Sequence, residues 1–161
     1  MAVFTAVEAI NIAMRVEQNG QAFYQAAAQQ MQEPAIKALL EDLAAWEVEH
    51  YKTFQKLAAQ ISDPPTLSGT EWEQYDLYMQ AALENALFKG PDKALAAAEG
   101  LQSGEEALRM ALGFEKDSML FYYDLREMMP EAHKETVETI IREERGHALK
   151  LANLLRSGKE L

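Results

Sequence analysis

A chain of 161 residues is long enough for one domain with a sizeable core. A formal net charge of −11 argues against nucleic acid or an anionic membrane as partner. The absence of cysteine excludes disulfides, iron–sulfur clusters and thiolate nucleophiles.

Taken in chain order, helix signals recur and no segment shows sustained period-two alternation, so the fold class is read as all-α. Thr5 and Glu8 form a capping-box pattern, and helical apolar spacing then runs to about Met31. Pro34 is suited to open a second helix, continuing to about Ala59. Ser62-Asp63-Pro64-Pro65 through Gly69 reads as a linker. Thr70 with Glu73 starts a shorter helical piece that is expected to end near Lys89-Gly90-Pro91. Ser103 with Glu106 opens a third long helix to about Met128, and Pro130 opens a fourth to about Arg156. The result is two helical hairpins joined by a crossover of roughly 40 residues that contains short helices, within one domain spanning 1–161.

No stretch approaches the roughly 18 apolar residues that a membrane span needs. The N-terminal Met1-Ala2-Val3-Phe4-Thr5 lacks the basic start and apolar run of a secretory signal, so a soluble, cytoplasmic protein is expected.

Each long helix places one acid in the middle of an apolar stripe. Glu17 lies among Ile10, Ala13, Gly20, Tyr24 and Ala27; Glu47 among Leu40, Leu43, His50, Phe54 and Leu57. Glu115 lies among Leu108, Ala111, Met119 and Tyr122; Glu144 among Val137, Ile140, Ile141, His147 and Leu151. Burying an unpaired carboxylate costs several kcal/mol, and four facing one another repel. Protonation, pairing with Lys or Arg, or cation binding would resolve this, and the stripes hold little Lys or Arg. They hold histidine: His50 follows Glu47 by three residues and His147 follows Glu144 by three, which sets an oxygen and an imidazole side by side on one helix face. Two divalent cations would balance the four carboxylates. An oxygen-rich set with two imidazoles suits iron or manganese, while zinc would give a redox-silent site.

One Glu-x-x-His on a helix is commonplace surface decoration. Two copies in matching halves, each on a core stripe, are not. The third histidine, His133, has no apolar stripe around it and is read as exposed and without a role. Glu49 falls on a face with Lys52 and Lys56, and Glu143 at a stripe edge with Lys150, so neither is a first choice of ligand.

The halves also match beyond these residues. Glu17-Gln-Asn-Gly-Gln-Ala-Phe23-Tyr24 parallels Glu115-Lys-Asp-Ser-Met-Leu-Phe121-Tyr122, and Glu47-Val-Glu-His50 parallels Glu144-Arg-Gly-His147. The first glutamate precedes the second by 30 residues in one half and by 29 in the other. Over almost its whole length the chain resembles the rubrerythrin branch of the ferritin-like superfamily. The resemblance implies a ferritin-like four-helix bundle holding two irons, with Glu17 and Glu115 as terminal ligands, Glu47 and Glu144 bridging, and His50 and His147 capping one iron each. It also implies that Tyr24 and Tyr122 hydrogen-bond ligating carboxylates; as a pure sequence feature they serve equally as aromatic core filler.

Two departures stand out. Family members often carry a cysteine-rich rubredoxin domain that feeds in electrons, which this cysteine-free sequence lacks, so an external reductant is expected. Rubrerythrins proper also tend to have a further glutamate three residues after the helix-three ligand, where this chain has Ser118.

The expected activity is an oxidoreductase reducing hydrogen peroxide or dioxygen at a carboxylate-bridged diiron centre. The alternatives are an iron-handling or storage ferroxidase and a metal-free structural bundle. Trp72, Tyr75, Tyr78, Met79, Leu83 and Phe88 give the crossover an apolar surface suited to a homodimer contact, with exchange of a hairpin between two chains as a variant.

Overall fold

The computed structural model describes residues 5–61 and 89–158, together with Thr70, Glu73, Gln74, Leu77 and Ala81, which are helical. The linker and the crossover aromatics singled out above lie outside the described residues. Five helices are delimited: α1 (Ala6–Gln30), α2 (Pro34–Gln60), α3 (Pro91–Glu99), α4 (Gly104–Met128) and α5 (Glu131–Ser157). Among the described residues there is no strand, and no helix is long and apolar enough to cross a membrane.

The helix starts follow from local chemistry. Thr5 Oγ1 accepts from Glu8 N at 3.2 Å while Glu8 Oε2 accepts from Thr5 N at 2.6 Å, so two amides without intrahelical partners are satisfied reciprocally. Pro34 occupies the first turn of α2, where its missing N–H costs nothing. Ser103 Oγ accepts from Glu106 N at 3.1 Å at the start of α4.

α3 is a short helix of the crossover, as expected, but its start differs from the expectation. Gly90-Pro91 was read as the stop of a crossover helix, and it is the start of another. Gly90 adopts φ +123°, a conformation that side chains disfavour, and Pro91 follows as a preset first helical residue. Ala94 and Ala98 are buried, and Gln30 Nε2 donates to Ala98 O at 2.8 Å, which ties the end of α1 to the crossover.

α1 packs along α2 and α4 along α5, and the hairpins meet through α1 against α4 and α2 against α5. Every stripe residue named above is buried or half-buried, and the core is continuous across the hairpins. Phe23, Tyr24, Phe54, Phe114, Phe121 and Tyr122 are fully buried in this core, Tyr24 packing edge-on against Phe23 and Phe114, and Tyr122 at a tilt against Phe54 and Phe121. His133, in the first turn of α5, is half-buried rather than exposed.

Candidate metal centre

Glu17 comes from α1, Glu47 and His50 from α2, Glu115 from α4, and Glu144 and His147 from α5; all six are at most 3 % exposed. They converge in two overlapping groups. Glu17, Glu47, His50 and Glu144 each offer a ligand atom within 4.8 Å of the others, and so do Glu115, Glu144 and His147. Glu144 therefore stands in both groups, the position of a bridge. Glu47, for which the resemblance implied the same role, stands in only one.

Both imidazoles turn Nδ1 inward. His50 Nδ1 lies 3.1 Å from Glu144 Oε1 and 3.5 Å from Glu17 Oε2. His147 Nδ1 lies 3.0 Å from Glu144 Oε2 and 3.8 Å from Glu115 Oε2. The rings stack on each other with centroids 5.8 Å apart.

The tyrosines act across the bundle, not along their own helices. Tyr24 of α1 donates from Oη to Glu115 Oε1 of α4 at 2.5 Å, and Tyr122 of α4 donates to Glu17 Oε1 of α1. Each phenol thus secures one oxygen of a glutamate in the opposite hairpin. The other oxygens, Glu17 Oε2 and Glu115 Oε2, are buried and have no hydrogen-bond partner, as are Glu47 Oε1 and His50 Nδ1. A buried polar atom left unsatisfied costs about 1–3 kcal/mol. Four such atoms turned into one cluster form a donor set for cations, and carboxylate oxygen with imidazole nitrogen is the set that iron or manganese takes.

Without a cation, protons stand in. Burial, then the neighbouring Glu17 carboxylate, pushes Glu47 well above the usual carboxylate range. Burial and Glu144 do the same to Glu115. Burial opposes a charge on His50, yet Glu144 and Glu17 outweigh it and raise the imidazole to about 11. Glu144 is the exception: burial would raise it, but the Glu115, His147 and His50 side chains packed around its carboxylate hold it well below the usual range. Burial first, and then Glu115 for Tyr24 or Glu17 for Tyr122, pushes both phenols up, so they remain protonated donors.

Three features escaped the sequence reading. A Cβ at Gly20 would sit 2.6 Å from Glu47 Oε2 and 2.7 Å from the Phe114 ring, so the missing side chain makes room for a carboxylate of the cluster. Glu143 accepts from His50 Nε2 at 3.0 Å, which the stripe-edge reading could not show because the partner is on another helix. Trp46, 39 % exposed, lies against both imidazoles, with ring centroids 6.0 Å from His50 and 5.6 Å from His147. Ser118, at the position of the absent further glutamate, is buried with an unpartnered hydroxyl. A surface groove of about 540 Å³ on the α1–α2 hairpin, beside Ala28, Ala44, Ala45 and Val48, contains none of the six residues.

Residues 8–155 match the protein family described as Rubrerythrin. Among solved structures, a Thermotoga maritima protein described as a ferritin-like diiron-carboxylate protein superposes with a TM-score of 0.74 at 24 % identity. That match covers 98 % of this chain and 99 % of the other, and it carries the fold. Comparison with curated proteins gives no sequence match.

Proposed function

This chain belongs to the rubrerythrin family, and on that premise we propose that it is a diiron oxidoreductase that reduces hydrogen peroxide to water with electrons from an external donor. The observation that carries the reading is the set of unpartnered inward atoms on Glu17, Glu47, His50 and Glu115 around the shared carboxylate of Glu144. Two ferrous ions held there would supply the two electrons and the Lewis acidity that cleavage of an O–O bond requires. Glu17, Glu47, His50 and Glu144 would hold one ion, and Glu115, Glu144 and His147 the other.

The chain's own residues do the rest. Tyr24 and Tyr122 immobilise the outer oxygens of Glu115 and Glu17, so each of these carboxylates presents one fixed oxygen inward. Gly20 leaves the space that the Glu47 carboxylate occupies, so that it reaches the cluster. The six side chains are at most 3 % exposed, and this burial strengthens every electrostatic contact among them. Reduction of peroxide to two waters consumes two protons and two electrons; the electrons come from a separate protein or small-molecule reductant. The same reading includes a homodimer, visible as a doubled mass in light scattering.

The test is to load metal-free protein anaerobically with Fe(II), then add hydrogen peroxide to one sample and air to another. Fast oxidation by peroxide and slow oxidation by air is the expected result. Fast oxidation by air with no peroxide preference would replace this reading with a ferroxidase or oxidase.

A further inference from the structure

The residue immediately before the second glutamate of each half breaks the internal repeat: Trp46 precedes Glu47, and Glu143 precedes Glu144. Each reaches across to the histidine of the other hairpin. Glu143 Oε2 accepts from His50 Nε2 at 3.0 Å, whereas the Trp46 ring lies 5.6 Å from the His147 ring. Among the described residues no side chain hydrogen-bonds Nε2 of His147. The two imidazoles thus share an inward-facing Nδ1 and differ in what holds their far side. A carboxylate on the remote N–H fixes the tautomer and ring orientation and raises the basicity of the inward nitrogen. An indole has a donor and no acceptor, so it fills space beside His147 without doing this.

A second observation points the same way. The His50 side gathers four ligand atoms and the His147 side three. Resting on the dimetal reading above, we infer that the two metal positions are unequal and fill in order: the position formed by Glu17, Glu47, His50 and Glu144 is occupied first, and Glu143 is the positioning residue that sets the order. Loss of such an outer partner typically lowers metal affinity about 10–100-fold.

Co(II) titration of the metal-free full chain, followed by calorimetry and by proton NMR, tests this. Wild type should show two resolved steps. The first equivalent should bring out a hyperfine-shifted, exchangeable imidazole N–H, that of His50 Nε2 held by Glu143. Glu143→Ala should weaken the first step about 10–100-fold, leave the second in place and abolish that N–H signal. Glu143→Gln, whose amide oxygen still accepts the bond and whose shape is unchanged, should retain the signal and part of the affinity. Trp46→Ala, which leaves the Glu143–His50 bond in place, should retain that N–H signal. Two equivalent steps in wild type, or a Glu143→Ala variant that weakens both steps alike or neither, overturns the inference while the dimetal centre stands. Failure of wild type to bind two ions overturns the centre itself.

Discussion

Tyr24 and Tyr122 decide which oxygen of Glu115 and of Glu17 is left for a cation, so their removal should be felt twice. Tyr24→Phe strips Glu115 Oε1 of its donor inside a fully buried site, and a stability loss of about 1–3 kcal/mol is expected by chemical denaturation of the metal-free protein. An unchanged midpoint would mean that the phenol is core filler. Gly20→Ala should act through crowding. A Cβ there meets Glu47 Oε2 at 2.6 Å and the buried Phe114 ring at 2.7 Å, so overpacking of about 1–3 kcal/mol should outweigh the gain in helix propensity and lower metal-free stability. The displaced Glu47 carboxylate should weaken metal binding, which equilibrium dialysis would detect. The six proposed ligands were legible in the sequence because acids on apolar stripes are anomalous at the level of one helix. The crossed tyrosine pairing, the Glu143–His50 bond and the Trp46 contact were not, because each joins residues from different helices and depends on packing that no spacing rule encodes.

At the scale of the element, the helix starts carry separable stability. Thr5→Ala removes the acceptor for Glu8 N and should cost about 1 kcal/mol, read from the urea midpoint. Four long helices could be placed from capping boxes, prolines and apolar spacing, with ends within a residue or two. Short crossover helices are expected from the sequence, but the bounds of α3 are not legible there, because Gly90-Pro91 signals both an end and a beginning. The alanine-rich stretch closed by Gly100 held the information that a helix follows. Its role in covering α1 could not be read, since the Gln30–Ala98 bond links segments far apart in sequence.

Across the whole molecule, the buried cluster couples folding to protons and to cations. In the metal-free fold His50 holds its proton up to about pH 11, whereas an unfolded histidine releases it near pH 6.5. The folded state therefore binds the extra proton, and this contribution is fully present below about pH 6.5 and lost as the pH rises through about 11. Glu47 and Glu115, raised from their ordinary range, act in the same direction. Thermal unfolding of metal-free protein should thus shift to lower temperature between about pH 7 and 10. A midpoint that climbs with pH would contradict the proton-filled cluster. Cations that take the place of those protons should stabilise the fold by about 2.7 kcal/mol at a hundredfold excess over Kd. A chelator should reverse that gain. The most direct test of the central claim is the stoichiometry of anaerobic Fe(II) binding to metal-free wild type and to Glu144→Ala. Saturation at two ions per chain in wild type, with neither ion held at the same concentration by the variant, is the predicted result. No saturable binding in wild type, or two ions retained by Glu144→Ala, would contradict a dimetal centre built around that shared carboxylate.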